Sequence, residues 1–392
     1  MIVGVPRETF PNERRVALVP ASVPLLMKAG CNVMIEQGAG YLAGYTDAAY
    51  HEKGATVGTS RDVVFAEADA IFQLVGTGAN PTRGAEDLGR FRPGQAAFGF
   101  QRALGNPEAL QELARTGASV FAIEMMPRIT RAQSMDALSS MSTAAGYSAV
   151  MLAASALPKM FPLMMTAAGT ISPARVLVVG VGVSGLQAIS TARRIGAVVS
   201  AYDVRPAVKE QVLSLGARFV ELPLETGASE DAGGYARAED EAFYRRQREL
   251  MAKAVAESDV VITTANVPGR VAPVLITEGM VAGMGPGSVI VDLAAERGGN
   301  CALTRAGETT VAHGVTIIGP VNVPGMVPFH ASQMYSSNVT AWFTHLVKEG
   351  ALKLDLADEI TRETLVARDG QVVHPKVREA LGLAPAADAQ SA

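Results

Sequence analysis

Cysteine is scarce in this 392-residue sequence, which contains Cys31 and Cys301 and no others. Two cysteines exclude a disulfide framework and a cysteine-rich metal centre. The five histidines show no metal-ligand spacing, so we predict no metal site. A basic surplus is also absent, because 34 Lys and Arg face 38 Asp and Glu, for a net charge of −4. Since phosphate binding requires a basic surface, we do not expect nucleic acid to be the main partner.

Long apolar runs are lacking as well. The best candidate for a membrane-spanning helix, residues 149–169, is interrupted by two prolines and a lysine, whereas such a helix requires about 20 apolar residues. We predict instead a buried helix, a break and a second short segment. The opening residues 1–6 form too short an apolar run for a signal peptide. The chain is therefore expected not to span a membrane, although it can lie on one.

Short apolar runs alternate with helical stretches along the chain. Hydrophobic residues make up 48% and charged residues 18%, which excludes a disordered chain, and the alternation is typical of βαβ units. The first half contains the predicted strands Ile2–Val5, Val33–Glu36, Ala70–Val75, Ala96–Phe100 and Ser119–Ile123. The second half contains Arg175–Val179, Val198–Asp203, Arg218–Leu222, Val260–Thr263, Val289–Leu293 and Thr316–Ile318. We predict an α/β fold of two Rossmann-like, doubly wound parallel-sheet lobes.

The second lobe is predicted to be inserted in the first. A helix expected over residues 337–348 carries an apolar stripe and follows the last predicted strand, so we interpret it as a return crossover. The predicted domains are residues 1–138 with 330–392, and residues 139–329. Residues 225–250 contain glycines and many charges, and here we expect a long mobile loop that leads into a charged surface helix.

The strongest motif is a Gly-x-Gly-x-x-Gly sequence between a predicted strand and a predicted helix. Gly180 permits a tight turn, Gly182 lets the backbone approach a pyrophosphate, and Gly185 lets helix and strand pack closely. The amino terminus of the helix supplies N–H donors and a partial positive charge for phosphates. The motif therefore predicts a dinucleotide site.

An acidic residue follows at the expected distance. Asp203 stands 18 residues after Gly185, at the end of a predicted strand. A carboxylate there accepts hydrogen bonds from ribose hydroxyls and repels a 2′-phosphate, which favours NAD(H) over NADP(H). Arg205 is the opposing signal, because an arginine can serve a 2′-phosphate. The predicted cofactor-binding residues of this lobe are Gly180, Gly182, Val183, Ser184, Gly185, Asp203, Val204, Arg205, Thr264 and Ala265.

A second unusual segment, residues 125–140, places cations, amides, an acid and hydroxyls between the two predicted lobes. A cleft between α/β lobes is a common ligand site. From the spacing alone, an ordinary solvated loop with a helix cap is the stronger explanation of the segment, and the ligand site stays open as the alternative.

Together these segments resemble the NAD(H)-binding component, domain I, of the α subunit of proton-translocating transhydrogenase, a family related to the alanine dehydrogenases. Residues 4–20 and 36–40 are similar to the amino-terminal signature of both families, and residues 126–136 are similar to a loop that contacts the nicotinamide end. Further similar segments are Thr166–Gly169, Gly233–Ala236, Pro273–Thr277, Val291–Leu293 and Gly298–Cys301.

The resemblance implies roles for residues that spacing alone leaves open. It implies that Arg128, Gln133, Asp136 and Ser139 form the catalytic set that positions the nicotinamide and its ribose. Tyr235 would lie on a mobile loop that closes over the nucleotide. It also implies a homodimer, with the NAD(H) site in the cleft between the lobes.

The implied reaction is direct hydride transfer between NADH on this chain and NADP⁺ on a partner domain. Such a transfer requires no acid, base or nucleophile, because alignment of the two rings supplies the rate. The implied partners are membrane-spanning and NADP(H)-binding subunits, in which proton translocation is linked to the reaction. The implied location is cytoplasmic, attached peripherally to the membrane through those subunits.

Two alternatives remain at this point. The first is an alanine dehydrogenase, whose chemistry requires a proton-transfer group. In that relative a lysine follows the third strand and a histidine the fourth, and here Gln73 and Phe100 stand at those places. Neither does acid–base work, and Arg15 alone is insufficient. The second alternative is a non-catalytic NAD-binding regulatory module.

Overall fold

The computed structural model describes residues 1–222, 241–266 and 271–384. Contacts divide them into two compact units. The first unit comprises Met1–Met141 and the described residues from Gly325 onward, and the second comprises the described residues of Ser142–Pro324. Most of the predicted loop over residues 225–250 lies outside the described residues.

The regular elements are as follows. The strands are β1 (Ile2–Val5), β2 (Asn32–Glu36), β3 (Thr56–Gly58), β4 (Ala70–Val75), β5 (Ala96–Phe100), β6 (Ser119–Ala122), β7 (Met164–Thr166), β8 (Gly169–Ile171), β9 (Arg175–Val179), β10 (Val198–Tyr202), β11 (Arg218–Phe219), β12 (Val260–Thr263), β13 (Val289–Asp292), β14 (Thr309–Ala312), β15 (Val315–Ile318), β16 (Val347–Lys348), β17 (Ala351–Leu352), β18 (Leu365–Arg368) and β19 (Gln371–Val372). The α-helices are α1 (Val23–Lys28), α2 (Asp47–Glu52), α3 (Arg61–Glu67), α4 (Ala85–Leu88), α5 (Pro107–Ala114), α6 (Ala137–Ala156), α7 (Val183–Arg194), α8 (Lys209–Ser214), α9 (Glu241–Ala256), α10 (Glu278–Ala282), α11 (Pro328–Leu346), α12 (Glu359–Thr364) and α13 (Pro375–Ala380).

The first unit is built on a sheet in the order β19-β18-β6-β5-β4-β1-β2-β3. Strands β1 to β6 run parallel, and β18 and β19 add an antiparallel edge. The strand order reverses between β1 and β4, which is the topological switch point of a doubly wound sheet. The five predicted strands are present, whereas β3, β18 and β19 were not predicted.

The second unit has a sheet in the order β11-β10-β9-β12-β13-β15-β14, in which only β14 is antiparallel among the described strands. Alternate residues of β9 enter two separate apolar clusters, Val176 and Val178 in one and Leu177 and Val179 in the other. Both faces of the sheet are therefore covered, as in a doubly wound fold. The predicted fold class is confirmed, and the switch point lies between β9 and β12.

Two predicted helical regions differ in detail from the structure. Residues 149–169 contain the end of α6, a break, and then β7, which forms an antiparallel hairpin with β8 from Gly169 onward. The helix expected over residues 337–348 corresponds to the second part of α11, which begins at Pro328 and ends at Leu346, and its last two predicted residues form β16. No helix in the described part of the chain is long and apolar enough to cross a membrane.

The core of the first unit contains a cluster of aromatic rings centred on Phe98. Its ring stacks on Phe121 with centroids 4.5 Å apart and meets Trp342, Phe343 and Phe72 edge to face at 5.0, 5.3 and 5.5 Å. These rings come from β4, β5, β6 and α11, so the cluster joins residues distant in the sequence. Such pairs add about 0.5–1.5 kcal/mol each beyond the burial of their area.

We therefore expect Phe98→Ala to lower the free energy of unfolding by about 3–5 kcal/mol, because it opens a cavity among rings that cannot all collapse into it. The matched control is Tyr41→Ala, since Tyr41 is an aromatic of the same unit that is 73% exposed. The measurement is urea denaturation followed by circular dichroism. Equal losses in the two variants would contradict the packing argument.

Candidate functional site

The turn between β9 and α7 has the geometry that its glycines predict. Gly180 has φ +95°, in the left-handed region. A Cβ atom on Gly180 would lie 2.7 Å from Oγ1 of Thr264 and 2.9 Å from the nitrogen of Ala265. The Thr264 hydroxyl also donates a hydrogen bond to the Gly180 carbonyl, at 2.9 Å. The turn and the residues after β12 are therefore held together.

The other two glycines of the motif occupy opposite environments. A Cβ on Gly185 would lie 2.0 Å from the Gly180 carbonyl oxygen, so α7 packs against the turn at a distance that excludes any side chain. Around Gly182, in contrast, no heavy atom of the described residues other than its chain neighbours lies within 4 Å of the Cβ position. Gly182 is the N-cap of α7, followed by exposed Val183 and half-buried Ser184. The amino terminus of the helix is therefore accessible to an anion.

Asp203 and Arg205 form a pair beside this turn. The N–H of Val181 donates to Oδ2 of Asp203 at 2.7 Å, which ties the carboxylate to the glycine turn. The guanidinium of Arg205 donates through Nε to Oδ1 and through Nη2 to Oδ2, both at 3.0 Å. Val204, between them, is half-buried. Asp203, the predicted acceptor for the ribose hydroxyls, is therefore already hydrogen-bonded to Arg205, the residue that argued against NAD(H) in the sequence.

A buried carboxylate organises the loops beyond β12 and β13. Asp292 is fully buried, and it accepts hydrogen bonds from five groups: the hydroxyls of Thr263 and Thr304 and the N–H groups of Ala294, Asn300 and Cys301. The side-chain amide of Asn300 in turn donates to the carbonyls of Ala265 and Pro273, each at 2.9 Å. The sequence segments that contain Asp292 and Asn300 were noted only for their resemblance, and no role was predicted for these residues.

The predicted catalytic set lies in the first unit. Gln133 is on a 3₁₀ turn at Thr130–Met135, Arg128 precedes that turn, Asp136 follows it, and Ser139 is in the first turn of α6. Asp136 accepts hydrogen bonds from the N–H of Ser139 at 2.9 Å and from its hydroxyl at 2.5 Å. The two residues therefore form the helix cap that the sequence left open. Arg128 and Gln133 are exposed. Tyr235 lies outside the described residues, so its role as part of a lid stays a prediction.

Family models identify the protein family to which the chain belongs. The model of the alanine dehydrogenase/PNT N-terminal domain matches residues 4–145, and that of the C-terminal domain matches residues 149–375. The chain belongs to the alanine dehydrogenase/PNT family. These two matches cover most of its length.

Transhydrogenase subunits are more similar to this chain than the alanine dehydrogenases found by the same comparison. A Rhodospirillum rubrum protein, named as the first part of NAD(P) transhydrogenase subunit alpha, is 46% identical over 378 residues, which is 96% of this chain and 98% of that protein. The crystal structure of transhydrogenase from Sinorhizobium meliloti superposes with a TM-score of 0.85 at 43% identity, covering 95% of this chain and 100% of that one. An L-alanine dehydrogenase structure is more distant, with a TM-score of 0.80 at 26% identity over 97% of this chain and 99% of that one.

Gln73 and Phe100, the residues predicted at the places of the alanine dehydrogenase lysine and histidine, carry no ionisable group. Gln73 lies within β4, buried, where its amide donates to Asp87 and its carbonyl accepts from the Thr77 hydroxyl. Phe100 ends β5, and its ring lies 5.7 Å from that of Tyr335. Arg15 is buried and bonded to Glu13 through Nε and Nη2. Neither Gln73 nor Phe100 can transfer a proton.

Glu8 is a group at this sheet that the sequence did not single out. Its carboxyl accepts the N–H groups of Leu74 at 2.6 Å and Val75 at 3.2 Å, where the pairing of β4 with β5 is irregular between Phe72 and Val75. Burial, together with the nearby charge of Glu13, raises the pKa of Glu8 from 4.5 to about 8. The main-chain hydrogen bonds lower this pKa without offsetting the burial. This pKa places the titration of Glu8 near neutral pH instead of in the acidic range.

This pKa predicts a pH dependence of stability. Because the folded pKa of about 8 lies above the ordinary value of 4.5, the stabilisation is complete below pH about 4.5 and is lost as the pH rises through about 8. The slope is at most about 1.4 kcal/mol per pH unit. We expect the melting temperature of Glu8→Gln to fall less than that of the parent between pH 5 and pH 8, measured by calorimetry. The control is exposed Glu67→Gln, and a Glu8→Gln profile parallel to the parent would contradict the prediction.

The glycine turn offers a matched pair of substitutions. Gly185→Ala should destabilise the chain by about 1–3 kcal/mol, since its Cβ would lie 2.0 Å from a main-chain oxygen that must move. Gly182→Ala should leave stability within about 0.5 kcal/mol, because its φ of −82° suits alanine and its Cβ position is open. Thermal unfolding of both variants measures the difference. Equal stabilities would refute the assigned contact.

Proposed function

We propose that this chain is the NAD(H)-binding component of a proton-translocating transhydrogenase, and that it transfers hydride between its NADH and NADP⁺ on a partner domain. The observation that carries the proposal is the 46% identity, over 96% of this chain, with a protein named as the first part of NAD(P) transhydrogenase subunit alpha. The glycine turn and Asp203 supply the local chemistry. The two compact units are proposed as the functional domains.

The residues around the glycine turn suit a dinucleotide. The open space at Gly182 and the accessible amino-terminal turn of α7 fit a pyrophosphate, since a side chain there would fill the cradle. Asp203 would accept the adenosine ribose hydroxyls. Val183, Ser184, Thr264 and Ala265 would line the same turn, and Tyr235 would close over the bound nucleotide.

Hydride transfer places a different demand on the first unit. The reaction moves no proton to or from the protein, so the chain must align a nicotinamide ring and exclude water. Arg128, Gln133, Asp136 and Ser139 are proposed for this task. The hydrogen bonds between Asp136 and Ser139 cap α6 directly after the turn that carries Gln133.

The alanine dehydrogenase alternative is less well supported. Oxidation of an amino acid requires a group that takes up a proton. The residues predicted at the places of the lysine and the histidine are buried Gln73 and half-buried Phe100. A purely regulatory NAD-binding module would bind NADH without transferring hydride, so a transfer assay separates it from the first proposal.

The partners proposed are a membrane-spanning subunit and an NADP(H)-binding subunit, with a second copy of this chain forming a homodimer. Attachment through those subunits would place the chain at the cytoplasmic face of the membrane. Linkage between hydride transfer and proton movement would then occur in the assembled complex.

The proposal is tested by reconstitution. The purified chain is mixed with an NADP(H)-binding transhydrogenase domain, and hydride transfer from NADPH to an NAD analogue of distinct absorbance is followed. We expect transfer that requires both proteins. NADH binding without transfer would contradict the proposal and favour the regulatory module, after which amino-acid substrates would be screened.

Gln133→Ala should slow this transfer about ten- to hundredfold while NADH affinity changes little, because the side chain is proposed to orient the ring rather than to hold the dinucleotide. The matched control is Ser134→Ala on the same turn, since it is the Ser134 carbonyl that accepts from Asn338. Single-turnover rates and fluorescence titration separate the two effects. An unchanged transfer rate in Gln133→Ala would overturn the assignment of this turn.

A further inference from the structure

The turn at Thr130–Met135, which carries Gln133, is bonded to a helix far away in the sequence. The side-chain amide of Asn338 in α11 donates to the Ser134 carbonyl at 2.8 Å, across 204 residues of sequence. Asn338 is 7% exposed, and its Oδ1 atom is buried with no hydrogen-bond partner among the described residues. Because a buried amide with an unpaired oxygen costs stability relative to an apolar side chain, the bond to the turn explains Asn338 better than packing does.

Asn338 lies on a rigid part of α11. It stands one helical turn before Trp342, which is fully buried and meets the ring of Phe98 edge to face at 5.0 Å. Val339, the next residue along the helix, is also fully buried. The helix is therefore anchored in the aromatic core at this point, and the bond from Asn338 holds the turn against the core of the first unit.

A second contact holds the same turn near its start. Nη1 of Arg131 donates to Oδ1 of Asp358 at 2.5 Å. Oδ2 of Asp358 accepts from the N–H and the hydroxyl of Thr361 at 2.9 and 3.0 Å, and Nε2 of His345 lies 3.0 Å away from it. Asp358 is thus fixed as the N-cap of α12. Because the Arg131 side chain is 49% exposed, we expect this ion pair to hold the turn less firmly than the buried bond from Asn338 does.

We propose that Asn338 and, to a smaller extent, Asp358 are positioning residues for hydride transfer, which act by holding the turn that presents Gln133. The glycine turn, proposed to bind the dinucleotide, is built from residues of the second unit. Loss of either positioning residue should therefore affect the rate of transfer more than the affinity for NADH. The rate is sensitive to such support, since a misplacement of about 1 Å costs about a hundredfold. The inference rests on the proposed function in one respect, namely that Gln133 orients the nicotinamide.

Two substitutions in the full chain test the two contacts. Asn338→Ala removes the buried donor to the turn. Asp358→Asn keeps an oxygen that can accept the N–H of Thr361 and removes the charge that faces Arg131, so it carries the test if Asn338→Ala lowers the melting temperature. The matched control is Ser337→Ala, because Ser337 is the exposed neighbour of Asn338 on α11 and its hydroxyl bonds to a carbonyl of the same helix.

The rate and the affinity are measured separately. Single-turnover hydride transfer is followed with an NADP(H)-binding transhydrogenase domain, and NADH affinity by fluorescence titration. We expect Asn338→Ala to slow transfer about tenfold with NADH affinity within about twofold of the parent. Asp358→Asn should slow transfer about two- to threefold, since it removes a partly exposed pair. Ser337→Ala should behave as the parent.

A combined variant shows whether Asn338 acts through Gln133. If it does, Asn338→Ala should cost less than about twofold further in a chain that already carries Gln133→Ala, because the effects of coupled residues do not add. Hydrogen exchange of the amides of residues 130–136 tests the support without any nucleotide. These amides should exchange faster in Asn338→Ala than in the parent or in Ser337→Ala.

Three results would overturn the inference. A parental transfer rate in both Asn338→Ala and Asp358→Asn would mean that the turn needs no such support. An equal slowing by Asn338→Ala with and without Gln133 would mean that Asn338 acts independently of it. A parallel fall of rate and NADH affinity would mean a general loss of structure. A failure of the proposed function is seen separately, as an absence of transfer in the parent chain while the difference in hydrogen exchange at the turn persists.

Discussion

The contact on which the rest of the candidate site depends is the approach of α7 to the turn that precedes it. At Gly185 the helix lies so close to the Gly180 carbonyl that a Cβ would be 2.0 Å from the oxygen. This contact places the first turn of α7 at the end of β9 and leaves the space around the Cβ position of Gly182 empty. The N–H of Val181, in the same turn, donates a hydrogen bond to Asp203. The Gly180 carbonyl accepts a hydrogen bond from the Thr264 hydroxyl.

Much of the fold could be predicted because the central strands are buried on both faces and therefore form unbroken apolar runs. β3 and β14 lie at sheet edges, where the apolar signal is weak. β3 escaped prediction because it has three residues, and β14 because its residues are exposed or half-buried. The start of α11 was missed for a different reason. Its hidden face carries Ser332 and Ser336, whose hydroxyls accept the N–H groups of Val16 and Val19, and these polar residues interrupt the apolar stripe.

The candidate site likewise has parts that could be predicted from the sequence and parts that could not. The glycine turn could be predicted because its residues act through backbone geometry that is encoded within six positions. The pairing of Asp203 with Arg205 and the raised pKa of Glu8 could not. The pairing depends on which nearby group the Arg205 side chain binds in the folded chain. The pKa of Glu8 depends on the N–H groups of Leu74 and Val75, 66 and 67 residues away, which a strand irregularity leaves unpaired. Such interactions exist only after the chain has folded.

The five hydrogen bonds to Asp292 have a consequence for motion. Because they tie two strand ends and the residues from Ala294 to Thr304 to one buried carboxylate, this loop cannot open by a local fluctuation without leaving the charge uncompensated. Its amide hydrogens at Asn300 and Cys301 should exchange with solvent as slowly as those of β13 itself. Hydrogen exchange would then group this loop with the strand that precedes it.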